Sequence, residues 1–169
     1  MTMKNSPKHF PGVHIRTDFK PGDAGRLIEL HGLLYSKEYG FNHTFEAYVA
    51  KPLAEFMLRN STRERIWFVD EDGELVGSIA IIEHSASVAQ LRWYLLHPRL
   101  RGKGLGKRLM DDAIAFCRAA GYKKVFLWTV SSLLTAARVY EKSGFHISEE
   151  KTHEIWGKVL TEQRYDLDL

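Results

Sequence analysis

One cysteine among 169 residues excludes an internal disulfide. Cys117 falls on the apolar side of a helix-like run, the place of a small buried hydrophobe rather than a nucleophile. No apolar run reaches the ~18 residues of a membrane-spanning helix. Met1–Pro11 lacks the apolar centre of a signal peptide, so a cytoplasmic location and no membrane partner are expected. Charge of one sign is also missing. Lys and Arg number 24 against 21 Asp and Glu, and the net charge of +3 is too small to predict nucleic-acid binding. Repeats, low-complexity runs and linker-like stretches are absent as well. What remains is a composition 44% hydrophobic and 27% charged, ordinary for a globular chain. Its length predicts one domain over residues 13–169, behind a loose polar tail at 1–12.

Taken in order, the spacing of apolar residues predicts a strand at Val13–Arg16 and a helix from Asp23, with Leu27, Ile28, Leu30, Leu33 and Leu34 on its inner face. A second helix runs from a Thr44 cap to Leu58, where Pro52 should kink or split it. Strands follow at 65–69, 74–83 and 88–97, the first two joined by an Asp-Gly turn. A helix runs through Leu109 to Cys117, and a buried strand occupies 123–130. A helix capped by Ser131 or Ser132 continues to Lys142. Extended segments then lie near 145–149, 153–158 and 164–169.

The most informative stretch is Leu91–Leu109, LRWYLLHPRLRGKGLGKRL. A strand passes through His97-Pro98 into a basic, glycine-spaced loop, Arg101-Gly102-Lys103-Gly104-Leu105-Gly106-Lys107, and then into a helix. Glycines let the backbone approach a ligand closely, and the helix start adds free N–H groups and partial positive charge. Such a loop suits a phosphate or pyrophosphate; the alternative is a tight strand–helix connection with a solvated basic face. It matches neither other common phosphate loop. Gly106-Lys107 is followed by Arg108 where a Walker loop needs Ser or Thr, and GxGxG is not GxxG-terminated like the dinucleotide fingerprint.

Arg101, Gly104 and Gly106, behind a hydrophobic strand and Pro98, resemble motif A of the GNAT family of N-acetyltransferases, Arg/Gln-x-x-Gly-x-Gly/Ala. A second run, Ala136-Ala137-Arg138-Val139-Tyr140-Glu141-Lys142-Ser143-Gly144-Phe145, is similar to the family's motif B. The resemblance covers about Val13 to Leu169 and is looser at 20–60. It implies an α/β fold, a mixed sheet of about seven strands flanked by about four helices. It also implies an enzyme that transfers an acetyl group from acetyl-CoA to a primary amine, with no metal. On that likeness the coenzyme contacts are Tyr94, Leu95, Leu96, the loop residues Arg101, Gly102, Lys103, Gly104, Leu105, Gly106 and Lys107, and Ser132. Tyr140 matches the tyrosine that protonates the leaving thiolate, a fitting role for a phenol; a tyrosine packed on the core is the alternative. The runs at 33–41 and 128–132 resemble acetyltransferase domains of bacterial MarR-type fusions, here without a winged helix. Relatives often pair through their C-terminal strands, which makes a homodimer an expectation.

Two features depart from the family pattern, at three positions. Leu133 stands where many members carry a coenzyme-contacting asparagine, and Gln90 and Trp128 stand where others carry a basic glutamate. The departures leave open a non-catalytic acyl-CoA sensor. The base could instead be Glu83, Glu38, Glu46, His84, His43 or water. His97 has no metal-like partner at ligand spacing. Strand alternation places Gln90, Arg92 and Tyr94 on one face. Arg92 is then either a structural ion pair or a receiver of a substrate carboxylate. Arg92, Tyr35 and Glu83 are therefore the acceptor-side candidates. The expected acceptor is a small amine or amino-acid-like compound, with a protein N-terminus or lysine as the enzyme alternative.

Overall fold

The structure, a computed structural model, describes residues 10–169. Its elements are β1 (Val13–Arg16), α1 (Asp23–Tyr39), α2 (Thr44–Arg59), β2 (Arg65–Glu71), β3 (Glu74–Glu83), β4 (Val88–Leu96), α3 (Leu105–Ala119), β5 (Lys124–Val130), α4 (Leu134–Lys142), β6 (His146–Ile155) and β7 (Lys158–Asp168). Seven strands form one sheet in the order β1-β2-β3-β4-β5-β7-β6. Every pairing is antiparallel except β4 with β5. The α/β mixed-sheet expectation holds, with seven strands and four helices. No described helix is long and apolar enough to cross a membrane.

Period-2 alternation builds two cores, one on each face of the sheet. Trp67, Val69, Ile79, Ile81, Ala89 and Leu91 meet Leu105, Leu109, Met110 and Cys117 of α3. Ile66, Phe68, Ala80 and Ile82 alternate with them and meet Leu27 of α1 and Phe45, Val49, Leu53 and Phe56 of α2. Cys117 is fully buried, which pushes its thiol up to about 12 and leaves it inert.

Local chemistry revises several boundaries. The tail expectation fails at its end: Phe10 packs against the α3 core and its carbonyl accepts from Val13 N–H at 3.1 Å. The remaining tail positions, 1–9, lie outside the described residues. Thr44 opens α2, but the cap is Asn42, whose Oδ1 accepts from Thr44 N–H at 3.0 Å. Pro52 lies within an unbroken α2, whose Val49, Leu53 and Phe56 are anchored on the sheet. Neither Ser131 nor Ser132 caps α4; Leu133 occupies the cap position without a side-chain bond. The three C-terminal segments are two long strands joined at Trp156-Gly157. Both turn residues have positive φ (54° and 80°), as do Asp72-Gly73 (50° and 84°), the pattern of tight hairpin turns.

The strand carrying the motif is irregular at one residue. Trp93 has φ 48°, and the β3–β4 register slips between Ser78 and Ala80. This is a bulge, and it inverts the phase of β4. Ala89 and Leu91 face the α3 core, but so do Tyr94 and Leu96, while Trp93 faces α1 and α2. The alternation predicted for Gln90, Arg92 and Tyr94 therefore breaks: Arg92 lies over Tyr48 of α2, whereas Tyr94 turns to the other face. Ser78 secures the bulge by donating from Oγ to the Trp93 carbonyl at 2.5 Å. Gly77 permits the adjacent approach, since a Cβ there would stand 2.8 Å from the Leu95 carbonyl and 2.6 Å from Leu96 Cδ2.

Two titratable features lie largely inside. The Arg16 guanidinium joins Asp23 (2.7 Å) and Asp70 (2.6 Å), tying β1 to α1 and β2. His31 on α1 is 3% exposed and accordingly neutral, burial pushing its pKa from 6.5 down to about 4 against the opposing effect of the Leu27 carbonyl.

Two outcomes are expected. Gly77→Ala should destabilise the protein by roughly 1–3 kcal/mol in urea unfolding, because the facing carbonyl cannot yield; an unchanged midpoint would refute the close-approach argument. Acidification should cost stability between pH 6.5 and about 4, where the unfolded chain protonates His31 and the folded chain does not. The loss is on the order of 3 kcal/mol, and His31→Phe should remove that slope from stability measured against pH.

Candidate active site

The β4–β5 pairing spans only Val88–Gln90 against Lys124–Phe126. Beyond it the strands separate, and the β5-side edge of β4 has no strand partner. His97 N–H donates to the Val76 carbonyl at 2.8 Å, so alternation turns the peptide groups of Leu95 and His97 toward β3. The N–H groups of Tyr94 and Leu96 then face the gap. Leu96 shows the same orientation through its carbonyl, which accepts from Arg101 Nε at 2.8 Å. Of the three strand residues expected to contact coenzyme, Tyr94 and Leu96 thus offer free donors, and Leu95 directs its own toward β3.

A cavity of about 550 Å³ opens at this gap. Tyr94, Leu95, Leu96, Arg101, Gly102, Gly104, Gly106 and Lys107, all expected coenzyme contacts, line it. Gly102 and Gly104 have φ 74° and 92°, conformations that L side chains rarely adopt, and Gly104 immediately precedes α3. The first-turn N–H groups of α3 thereby open on the cavity. Gly106 has a separate reason: a Cβ there would stand 2.6 Å from the Tyr94 hydroxyl.

Three loop predictions need correction. Leu105 is fully buried in the α3 core, so only its backbone can serve a ligand. Lys103 and Ser132 are exposed and do not line the cavity; the hydroxyl residues that do are Thr135 and Ser143. Two of the expected free cations are engaged. Arg101 forms a bidentate pair with Glu38 at 2.7 and 2.8 Å, and Lys107 pairs with Asp111 at 2.5 Å. Lys142, from the end of α4, adds a cation that motif spacing did not suggest. The apolar wall is Leu133, Ala136 and Val139. Backbone donors and cations at one end and an apolar wall at the other fit a coenzyme A pyrophosphate and its pantetheine arm.

A smaller cavity of about 80 Å³ adjoins, sharing Tyr35, Tyr94 and Leu133 with the larger. Tyr140 lines it, 6% exposed, and its hydroxyl makes no hydrogen bond among the described residues. Burial, reinforced by the nearby phenols of Tyr35 and Tyr94, raises its pKa well above 10. Tyr94 is likewise pushed up to about 12 by burial. Arg92 borders the cavity half-buried, 5.2 Å from the Tyr48 ring centre and 5.6 Å from that of Trp93. It has no carboxylate partner among the described residues, so the structural ion pair is not what is seen. Glu83 is elsewhere, paired with Arg63 at 3.4 Å and outside both cavities.

Sequence reasoning missed two buried polar residues of this smaller cavity. Glu162 on β7 is 6% exposed and already held by His153 (2.5 Å) and Lys151 (3.5 Å). His31 donates from Nδ1 to the Leu27 carbonyl at 2.8 Å, while Nε2 has no partner among the described residues. Its signal was present: position 31 follows Leu27 by four on the apolar face of α1.

Comparison with known proteins agrees with this geometry. The family model "Acetyltransferase (GNAT) family" matches residues 27–145. The chain is 33% identical over 115 residues to the uncharacterized N-acetyltransferase YjgM of Escherichia coli, covering 65% of this chain and 69% of that one. It is 30% identical over 122 residues to an uncharacterized N-acetyltransferase of Schizosaccharomyces pombe, covering 70% and 74%. Among solved structures, yncA of Salmonella typhimurium, a putative acetyltransferase with its cofactor acetyl-CoA, shares the fold at TM-score 0.73 and 18% identity, over 93% of this chain and 94% of that one. Spermidine N-acetyltransferase from Vibrio cholerae, in complex with CoA and spermine, does so at TM-score 0.70 and 19% identity, over 93% and 95%. Matched over most of its length by the family model, with motif loop, bulged strand and split sheet in one place, the chain belongs to the acetyltransferase (GNAT) family and is an N-acetyltransferase.

Proposed function

We propose that this acetyltransferase acylates a small primary amine carrying a carboxylate, with Tyr140 as the acid. The observation that carries the reading is the junction of the two cavities at Tyr35, Tyr94 and Leu133, beside Tyr140. Acetyl-CoA supplies the activated acyl group as a thioester. The glycine loop and the start of α3 hold its pyrophosphate. The Tyr94 and Leu96 N–H groups on the open edge of β4 stabilise negative charge on the acyl oxygen. Tyr140 donates its proton to the departing sulfur. Its raised pKa keeps it protonated at neutral pH, and the thiolate it meets is made more basic by the same apolar surroundings.

The acceptor class follows from Arg92 and from size. A cavity of about 80 Å³ walled by Phe41, Phe45, Tyr48 and Trp156 suits a compact molecule better than a protein segment. An unpaired, half-buried guanidinium favours a carboxylate, which it can bind through two parallel hydrogen bonds. It disfavours a polycation such as the spermine bound by the Vibrio cholerae relative.

Thiol release from acetyl-CoA across amines, amino acids and short peptides tests the acid and the acceptor together. Tyr140→Phe should lower kcat by roughly 10²-fold while calorimetric acetyl-CoA affinity stays unchanged. A folded variant with wild-type kcat would remove Tyr140 from the acid role. Arg92→Gln should raise KM for amino-acid acceptors by about tenfold or more and leave simple alkylamines untouched. Equal losses on both classes would show that Arg92 acts through the fold instead.

A further inference from the structure

The mechanism above lacks a group to take the proton from the amine. Carboxylates near the cavities are committed elsewhere. Glu38 holds Arg101, Glu83 pairs with Arg63 outside both cavities, and Glu162 is bound by His153 and Lys151. His84 packs edge-on against Phe126 at 5.0 Å and lines neither cavity. Glu46 is exposed, its carboxylate lying against Gly32 between α1 and α2.

We propose that His31 accepts the proton of the attacking amine at Nε2. The proposal rests on the reading of the two cavities given above. Four observations carry it. The ring lines the smaller cavity with Arg92 and Tyr140. Its Nδ1 bonds the Leu27 carbonyl at 2.8 Å; a carbonyl only accepts, so Nδ1 carries the hydrogen and Nε2 carries a bare lone pair. That lone pair has no partner among the described residues although the residue is 97% removed from solvent, an arrangement native interiors seldom keep without a ligand or water supplying the donor. Tyr35 stacks on the ring with an interplanar angle of 4°, which fixes its plane.

Titratable and charged groups around the cavity are Tyr35 on α1, Tyr48 on α2, Arg92 and Tyr94 on β4, Tyr140 on α4 and Glu162 on β7. None of them perturbs the imidazole, whose shift comes from burial, opposed by the Leu27 carbonyl. The base is thus neutral and available throughout the physiological range. A strong base is unnecessary, because the amine nitrogen becomes acidic only as its bond to the acyl carbon forms. In that step the N–C bond forms and the C–S bond breaks. The amine proton passes to Nε2, and the Tyr140 proton passes to sulfur. The imidazolium then loses its proton to solvent and the phenolate regains one, so amine and thioester become amide and thiol with nothing left over.

His31→Phe keeps an aromatic ring, slightly larger, at the site and removes the lone pair. With the amine that wild type acetylates fastest, kcat should fall about 10²-fold while acetyl-CoA affinity by calorimetry is unchanged. In His31→Ala, added imidazole should restore rate and pyrrole, which fills the same space without a lone pair, should not. Independently of turnover, the Nε2 resonance of His31 in ¹⁵N NMR of wild type should shift when that amine is added. A His31→Phe rate within threefold of wild type, equal rescue by pyrrole, or an unmoved Nε2 resonance would each overturn the proposal while leaving the acetyltransferase reading intact. Absence of thiol release by wild type with every amine would overturn both. Should the variants fail to fold, the wild-type resonance decides alone.

Discussion

A parallel strand pair that separates after three residues leaves backbone donors without partners, and those unpaired donors are what the rest of the site depends on. β4 and β5 part after Gln90 and Phe126. An open edge in the middle of a sheet would be expensive if it were simply buried, because unsatisfied peptide groups carry their full desolvation cost. Here the edge faces a cavity. The left-handed Trp93 makes the arrangement possible by re-aiming β4 just past the point of separation. One residue thus decides that Tyr94 joins the coenzyme side while Arg92 stays with α1 and α2.

The anion site illustrates how backbone and side-chain charge divide the work. Motif spacing draws attention to Arg101, Lys103 and Lys107, yet Lys103 is off the cavity and the other two are in ion pairs. Exposed pairs of that kind contribute little net energy and exchange readily. The permanent contribution is geometric: two glycines in the left-handed region and the free N–H groups of the first turn of α3. Arg101 still matters as a tether, since its Nε bonds the Leu96 carbonyl while its other nitrogens hold Glu38 from α1. The glycine loop of the larger cavity and helix α1, which carries Tyr35 and His31 of the smaller one, are joined through that one guanidinium.

Much of this was legible in the sequence because it depends on local rules. Alternation locates β2 and β3, Asp-Gly gives the hairpin between them, and glycines at 102, 104 and 106 announce the loop. What was not legible depends on contacts between distant residues. Period 2 cannot foresee a left-handed tryptophan, so Arg92 and Tyr94 were assigned to one face. Ser131 or Ser132 is the expected cap and the family resemblance adds a coenzyme contact at Ser132, but the turn before α4 leaves that side chain in solvent and Leu133 inside. Glu83 ends a strand beside the predicted cleft in sequence terms, yet its partner is Arg63, just before β2, and it lines neither cavity. By spacing alone, His31 among the leucines of the α1 apolar face is indistinguishable from a core residue. Only the three-dimensional count of hydrogen-bond partners separates a satisfied core histidine from one with a free nitrogen.

Burial explains why the proposed acid and base can coexist at neutral pH without charge. Removing an imidazole from water lowers its pKa, and removing a phenol raises one. His31 and Tyr140 are displaced in opposite directions by the same apolar surroundings, so each rests in its neutral form. One then offers a lone pair and the other a proton. A Glu–Lys pair in the same volume would bring two ions out of water at several kcal/mol each, and their mutual attraction would oppose the transfer they are meant to perform. The neutral pair carries no such cost, and of the two charged side chains lining the cavity Glu162 is already paired while Arg92 has no ionic partner among the described residues. An acceptor with a carboxylate and an uncharged amine is the complement of that arrangement: the carboxylate answers the guanidinium, and the amine meets the lone pair.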